Sequence, residues 1–387
     1  MQHRLLALDG GGIRGIITLE VLDEIERTLR ARMGRPDLVL ADFFDYVAGT
    51  STGAIIAACV SLGMPVSEIR RFYIENGEAM FDKAGLLRRF RYKFEDDRLA
   101  AKLREVINGH RTADERSAGR DLTLGSPALR TLLMMVMRNA STDSPWPISS
   151  NPSAKYNRPG RPDCNLELPL WQLVRASTAA PTYFPPEVVT VGTHRFVFVD
   201  GGVTTYNNPA FLLYLMATLE PYQLQWPTGK ERMLLVSVGT GGSPQANTDL
   251  QPSEMNLLYN AGSVPSALMY AALNEQDMLC RVFGECRFGD PLDRELGDLR
   301  GIAAPGGEKH FTYLRYNAEL SREGLDALGL PGVKPERVQK LDSIESIPDL
   351  RLVGETLARR TVRPEHFDGF ADPPGEPMPM PEPLARI

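Results

Sequence analysis

Apolar residues along this chain come in short runs that stop at glycine. Arg4 to Leu8 is a run of strand length, Asp9-Gly10-Gly11-Gly12 breaks it, and Ile13 to Ala31 then carries Ile16, Ile17, Leu19, Leu22, Ile25 and Leu29 at mostly helical spacing. A second unit of the same kind follows. Phe43 to Val47 predicts a strand, Gly49 to Gly53 a turn, and Ala54 to Leu62 a helix so nearly all-apolar that it should be buried. Further strands are predicted at Thr131 to Met137, Arg195 to Val199, Met233 to Val238 and Phe311 to Arg315. Helical stretches stand between them at Val66 to Asn76, Asp96 to Asn108, Leu168 to Ser177, Pro209 to Leu219 and Val264 to Phe283. Strands alternating with helices predict a layered α/β fold with a largely parallel sheet. Asn139 to Pro162, rich in Ser, Asn and Pro, reads as a long loop within one domain, because strand and helix signals resume on both sides. Pro373 to Pro383 can form neither helix nor sheet and reads as an extended tail.

Composition narrows the function classes. At ~150 residues per domain, 387 residues predict two or three domains, although large α/β enzymes exceed that rule. With 43 basic against 49 acidic side chains the net charge is −6, which argues against a nucleic-acid polymer as partner. Four cysteines, at 59, 164, 280 and 286, show neither CxxC spacing nor disulfide density, so reduced thiols in a cytoplasm are expected and a zinc ribbon is not. The apolar run Leu5 to Leu8 falls short of the ~7–15 residue core of a signal peptide, and no run approaches the ~18 residues of a membrane span. Any lipid is therefore expected to be met from outside the bilayer.

Gly10-Gly11-Gly12-Ile13-Arg14-Gly15 satisfies G-x-G-x-x-G between a predicted strand and a predicted helix, the context of a dinucleotide fingerprint. The glycines bring backbone N–H groups close to whatever sits at the helix N-terminus, where the dipole favours negative charge. That charge is either a pyrophosphate or the oxyanion of an acyl-transfer intermediate. A dinucleotide-dependent oxidoreductase would want an acid ending the second strand ~20 residues on. Asp37 and Asp42 are the candidates, but no clean strand precedes either, and Asp9 would crowd a pyrophosphate.

Gly49-Thr50-Ser51-Thr52-Gly53 is G-x-S-x-G in strand-turn-helix context, a nucleophile elbow whose glycines allow the strained turn that lifts the Ser51 hydroxyl above the sheet. The plain alternative is a glycine-flanked helix cap. A serine hydroxyl needs a base to accept its proton. The five histidines are His3, His110, His194, His310 and His366, and none stands in a glycine-rich or strand-end turn, so each reads as a surface or packing residue. Asp200 is better placed, since Asp200-Gly201-Gly202 is a sharp turn at the end of the strand Arg195 to Val199, where catalytic groups of open α/β sheets gather. Its plain alternative is a turn or cap residue.

These residues together resemble the patatin-like phospholipases. Asp9 to Gly15 resembles the family's oxyanion loop, Gly49 to Gly53 its nucleophile elbow, and Asp200-Gly201-Gly202 its catalytic aspartate turn. Arg175 to Pro181 with Phe184-Pro185, then Asn207-Asn208-Pro209, then Ser237 to Gly241 match supporting blocks in the same order, from about Arg4 to Asn317. The resemblance implies a three-layer α/β/α fold and a Ser-Asp dyad without histidine. Ser51 would attack a fatty-acyl ester and form an acyl-enzyme, and Asp200 would take the proton. Gly10, Gly11, Gly12, Arg14 and Gly15 would form the oxyanion hole. It also implies a phospholipid or other acyl-ester substrate, peripheral membrane contact, no cofactor and no calcium, and it leaves open a homo-oligomer or a small-molecule activator of a membrane-degrading effector. A free aspartate has a pKa of ~3.9, so the site should raise it by burial or use Asp200 chiefly to orient the hydroxyl. The expected organisation is a catalytic domain over 1–317, a helical extension packed on it over 318–370, and a Pro-rich tail over 371–387.

Three other stretches have two readings each. Arg88 to Lys93 suits an anionic headgroup surface, or a solvated face balanced by Glu95-Asp96-Asp97. Met134, Met135 and Met137 read as strand core rather than a lipid gate. Tyr183-Phe184-Pro185-Pro186 either lines an acyl channel or packs.

Overall fold

A strand that is apolar on both faces belongs in the middle of a parallel sheet. In the computed structural model, which describes residues 2–81, 98–181, 183–243 and 257–371, the run at the N-terminus takes that position. The described strands are β1 (His3–Leu8), β2 (Tyr46–Thr50), β3 (Leu132–Asn139), β4 (Ser144–Ser149), β5 (Glu187–Val191), β6 (His194–Asp200), β7 (Met233–Val238), β8 (Glu285–Phe288) and β9 (Thr312–Tyr316). The described helices are α1 (Gly15–Met33), α2 (Thr52–Ser61), α3 (Val66–Phe81), α4 (Arg98–Gly109), α5 (Ala113–Ser117), α6 (Leu170–Ser177), α7 (Ala210–Thr218), α8 (Leu257–Phe283), α9 (Arg322–Ala327), α10 (Pro335–Val338) and α11 (Ile347–Thr361). All belong to the α/β arrangement that the alternation predicts.

Strands β3, β2, β1, β7, β9 and β8 pair side by side in parallel. Alternate residues of β1 feed two separate cores. Leu6 and Leu8 pack with α1, α2, α3 and α11, whereas Leu5 and Ala7 pack with α7 and the end of α8. The result is three layers, helices covering both faces of a mostly parallel sheet. Every residue of α2 is buried, as its all-apolar sequence requires, and so are Met134, Met135 and Met137 on β3.

Strand β3 is where the sheet changes character. Strand β4 runs antiparallel along one edge of it, from Met134 to Asn139. The other edge is shared, with β2 covering Leu132 to Val136 and antiparallel β6 covering Met137 to Asn139. Because β2 and β6 run in opposite directions, they meet head to head, Thr50 opposite Val136 and Asp200 opposite Met137.

Several expectations shift. Strand β2 starts at Tyr46 rather than Phe43 and runs through Thr50, so the elbow turn begins at Ser51; Phe43 and Phe44 lie in the turn before it, where Asp45 accepts the Arg4 N–H at 2.7 Å. The stretch 139–162 is not all loop, since β4 forms a hairpin with β3. Pro145 and Pro147 hid it, and they are tolerated because among the described strands β4 pairs with β3 alone, leaving an edge where no N–H is required. Strands β5 and β8 and the N-terminal part of α8 were also unforeseen. The basic-aromatic run 88–93 and the proline-rich run 373–383 lie outside the described residues.

Helix α11 packs along α1 at very short range. A Cβ on Gly354 would stand 3.0 Å from the Ile17 Cα, so the small residue sets the spacing. Beside it the buried Glu20 carboxylate receives Arg70 of α3 at 2.7 Å and Arg351 of α11 at 3.1 Å, tying three helices together.

Candidate functional site

The site forms at the C-terminal ends of β1, β2 and β7, where β6 arrives from the opposite direction. Ser51 has φ 55° and ψ −123°, a left-handed backbone rare for a residue with a side chain. The turn closes so tightly that a Cβ on Gly49 would lie 2.1 Å from the Gly53 carbonyl oxygen, and one on Gly53 2.3 Å from that of Leu8. Thr50 and Thr52 brace it: the Thr50 hydroxyl donates to the Tyr206 carbonyl at 2.7 Å, and the Thr52 hydroxyl lies 2.8 Å from that of Tyr73.

The Ser51 hydroxyl donates to Asp200 Oδ2 at 2.5 Å. The other carboxylate oxygen, Oδ1, accepts the Gly202 N–H at 2.6 Å, which fixes the carboxylate plane through the Asp200-Gly201-Gly202 turn. Asp200 is 4% exposed. Burial pushes its carboxyl up to about 6, against the opposing pull of the Ser51 hydroxyl, the Gly202 N–H and the Arg175 charge.

The glycine loop lies against the elbow. A Cβ on Gly10 would stand 3.2 Å from the Ser51 Cβ. The Gly10 N–H donates to the Asn207 carbonyl at 3.0 Å and its carbonyl accepts the Thr240 hydroxyl at 2.9 Å, so the Asn207 and Ser237–Gly241 blocks both hold this loop. Among the described residues the N–H groups of Gly11 and Gly12 donate to no protein acceptor, whereas the next, that of Ile13, donates to the Leu341 carbonyl at 2.9 Å. Gly12 has φ 59°, and a Cβ there would meet that same carbonyl oxygen at 2.2 Å. Gly15 opens α1 against Thr52. Burial pulls the Arg14 guanidinium down to about 10 while Asp9 opposes, so the cation persists at neutral pH.

Asp9 points away from the loop into the interior. Arg315 of β9 grips it with two hydrogen bonds, 2.9 and 2.6 Å, and also donates to Ser237 at 2.7 Å. Sequence reading missed Arg315, which is 306 positions from Asp9 and lies on an otherwise uncharged, buried strand. It missed the particular roles of Ser177 and Arg175 too, although both stand within a block already singled out. Phe184 packs under the Arg175 guanidinium at 5.2 Å.

No histidine hydrogen-bonds Ser51 or Asp200. His3 stacks on Trp226 at 4.0 Å, His310 lies 2.6 Å from the Tyr214 hydroxyl, and His366 lies 2.7 Å from that of Tyr316. The dinucleotide alternative finds no support. Asp42 precedes β2 and is ion-paired to Arg35 and Arg130, so it sits at the opposite end of the parallel strands from the glycine loop.

The family model for patatin-like phospholipases matches residues 6–214, more than half of the chain. The chain belongs to the patatin-like phospholipase family. Patatin-17 of Solanum cardiophyllum is 29% identical over 254 residues, covering 61% of this chain and 60% of the relative. A cGAMP-activated phospholipase of Escherichia coli (strain TW11681) is 28% identical over 240 residues, covering 62% of each. The matched region thus spans about three-fifths of these relatives' own length. Among solved structures, VipD from Legionella pneumophila aligns with a TM-score of 0.40 at 14% identity, over 93% of this chain and 67% of that one.

Proposed function

We propose that the protein is a lipid acyl hydrolase of phospholipase A or lysophospholipase type that works through Ser51 and Asp200 without histidine. The observation that carries this reading is the 2.5 Å hydrogen bond from the strained Ser51 to a buried Asp200, beside two unengaged glycine N–H groups. The Ser51 oxygen attacks the ester carbonyl carbon as its proton passes to Asp200, and a base with a pKa near 6 is well matched to that task at neutral pH. The carbonyl oxygen becomes an oxyanion facing the Gly11 and Gly12 N–H groups, each such donor being worth roughly 3 kcal/mol in comparable sites. Collapse breaks the carbon–oxygen bond to the alcohol, which leaves with the proton held by Asp200. A water then attacks the acyl-Ser51, gives its proton to Asp200, and releases the fatty acid as the serine hydroxyl is restored.

We also read 1–317 as the catalytic domain, with 318–370 packed on it. Four free thiols are consistent with a cytoplasmic protein that meets lipid from outside, and no helix among the described residues is long and apolar enough to cross a membrane. Fluorophosphonate treatment followed by intact-mass analysis should add one adduct, located on Ser51. Ser51→Ala and Asp200→Asn should each lower ester hydrolysis by about 10³-fold or more while keeping the native circular dichroism. An unlabelled Ser51, or full activity in either variant, would sink the proposal. The likeness to the cGAMP-activated relative favours a second reading in which the same chemistry waits for a cyclic dinucleotide. Phospholipid-vesicle hydrolysis that appears only on adding one such nucleotide would support it.

A further inference from the structure

Ser177, the last residue of α6, is fully buried and makes two hydrogen bonds that point in one direction. Its hydroxyl donates to the Val136 carbonyl at 2.6 Å, which turns an oxygen lone pair toward the Ser51 N–H, accepted at 3.0 Å. Val136 is the register partner of Thr50, the residue before the elbow. The hydroxyl is therefore interposed between β2 and β3 where their direct ladder ends and the chain swings into its left-handed turn. Two residues on, the Ala179 carbonyl accepts the N–H of Asp200 at 2.9 Å. Gly201 closes the arrangement, since a Cβ there would lie 2.3 Å from the same Val136 oxygen.

We infer that Ser177 is a positioning residue for the hydrolysis, holding the Ser51 backbone in the strained turn that keeps its hydroxyl on Asp200. This rests on the Ser51–Asp200 reading. The three residues 177–179 hold the backbones of both partners, one through a side chain and one through a carbonyl. Without the Ser177 hydroxyl the Ser51 N–H has no acceptor, and one of the contacts that hold a left-handed serine against relaxation toward an ordinary backbone is lost. Displacement by about 1 Å is enough to lower a rate about 100-fold.

The test compares Ser177→Ala, Ser177→Cys and Ser177→Thr in the full chain. The measurements are kcat and KM on a p-nitrophenyl fatty-acid ester per fluorophosphonate-titratable site, the time course of Ser51 labelling, and the melting temperature. Ser177→Ala should lower kcat and the labelling rate about 10- to 100-fold with KM within about twofold, and Ser177→Thr, which keeps the hydroxyl, should restore most of both. The thiol of Ser177→Cys fills the space but accepts poorly, so it should behave like alanine and decides the matter if Ser177→Ala does not fold. A role in stability alone would lower the melting temperature and the number of titratable sites but leave kcat per site unchanged, and that result overturns the inference. Failure to label Ser51 in the parent protein would instead overturn the dyad itself.

Discussion

Asp200 governs the pH behaviour of the site. On the proposed mechanism its ionised form is the base, so kcat/KM should rise as pH climbs through about 6 and level off above it. Arg175 favours that ionised form, and Arg175→Gln should move the acidic limb to higher pH, which a pH–rate profile would register. The same group affects stability with the opposite sense. Its folded pKa lies above the unfolded value, so its contribution is fully present below about 4 and is lost as pH rises through about 6, a difference of up to about 3 kcal/mol. Asp200→Asn, with no charge to bury, should therefore melt above the parent at pH 8 and lose that advantage near pH 4. The Asp9–Arg315 pair is a separate case. Arg315→Met would leave a buried carboxylate alone and should cost about 3–5 kcal/mol in denaturant unfolding, with Asp9→Asn added to it costing less than the single change.

At the level of elements, the glycine loop and the elbow were legible because glycine is needed where chain segments nearly touch. Gly12 shows the limit of that reading. The motif marked the residue, but its contact comes from Leu341, far along the chain and in no motif. Gly12→Ala, which sets a Cβ against the Leu341 carbonyl on a left-handed backbone, should lower kcat at least 100-fold and also lower the melting temperature. Gly354→Ala is the reverse case, pressing α11 away from α1 at an expected 1–3 kcal/mol of stability with the kcat of the folded fraction preserved. Strand β4 was illegible because its two prolines read as loop, and only the position at the sheet's edge reconciles them with a strand. Ser177 was illegible in another way, since a hydroxyl's partners cannot be read from a helix end.

Across the whole molecule, the segment beyond Asn317 is joined to the site by more than surface contact. It supplies the Leu341 carbonyl to the glycine loop and α11 to the core around α1. Removing residues 318–371 should therefore abolish cooperative unfolding as well as hydrolysis, which circular dichroism melts would reveal. The shared edge of β3 has a consequence of its own. Thr50 and Asp200 abut neighbouring positions, Val136 and Met137, on a single strand. Strand β3 thus acts as a ruler on which two chain ends are set one graduation apart. A one-residue insertion between those marks would widen the gap by about 3.3 Å. The reach from Ser51 to Asp200 is thus counted in residues of a third segment that contributes no side chain to the reaction.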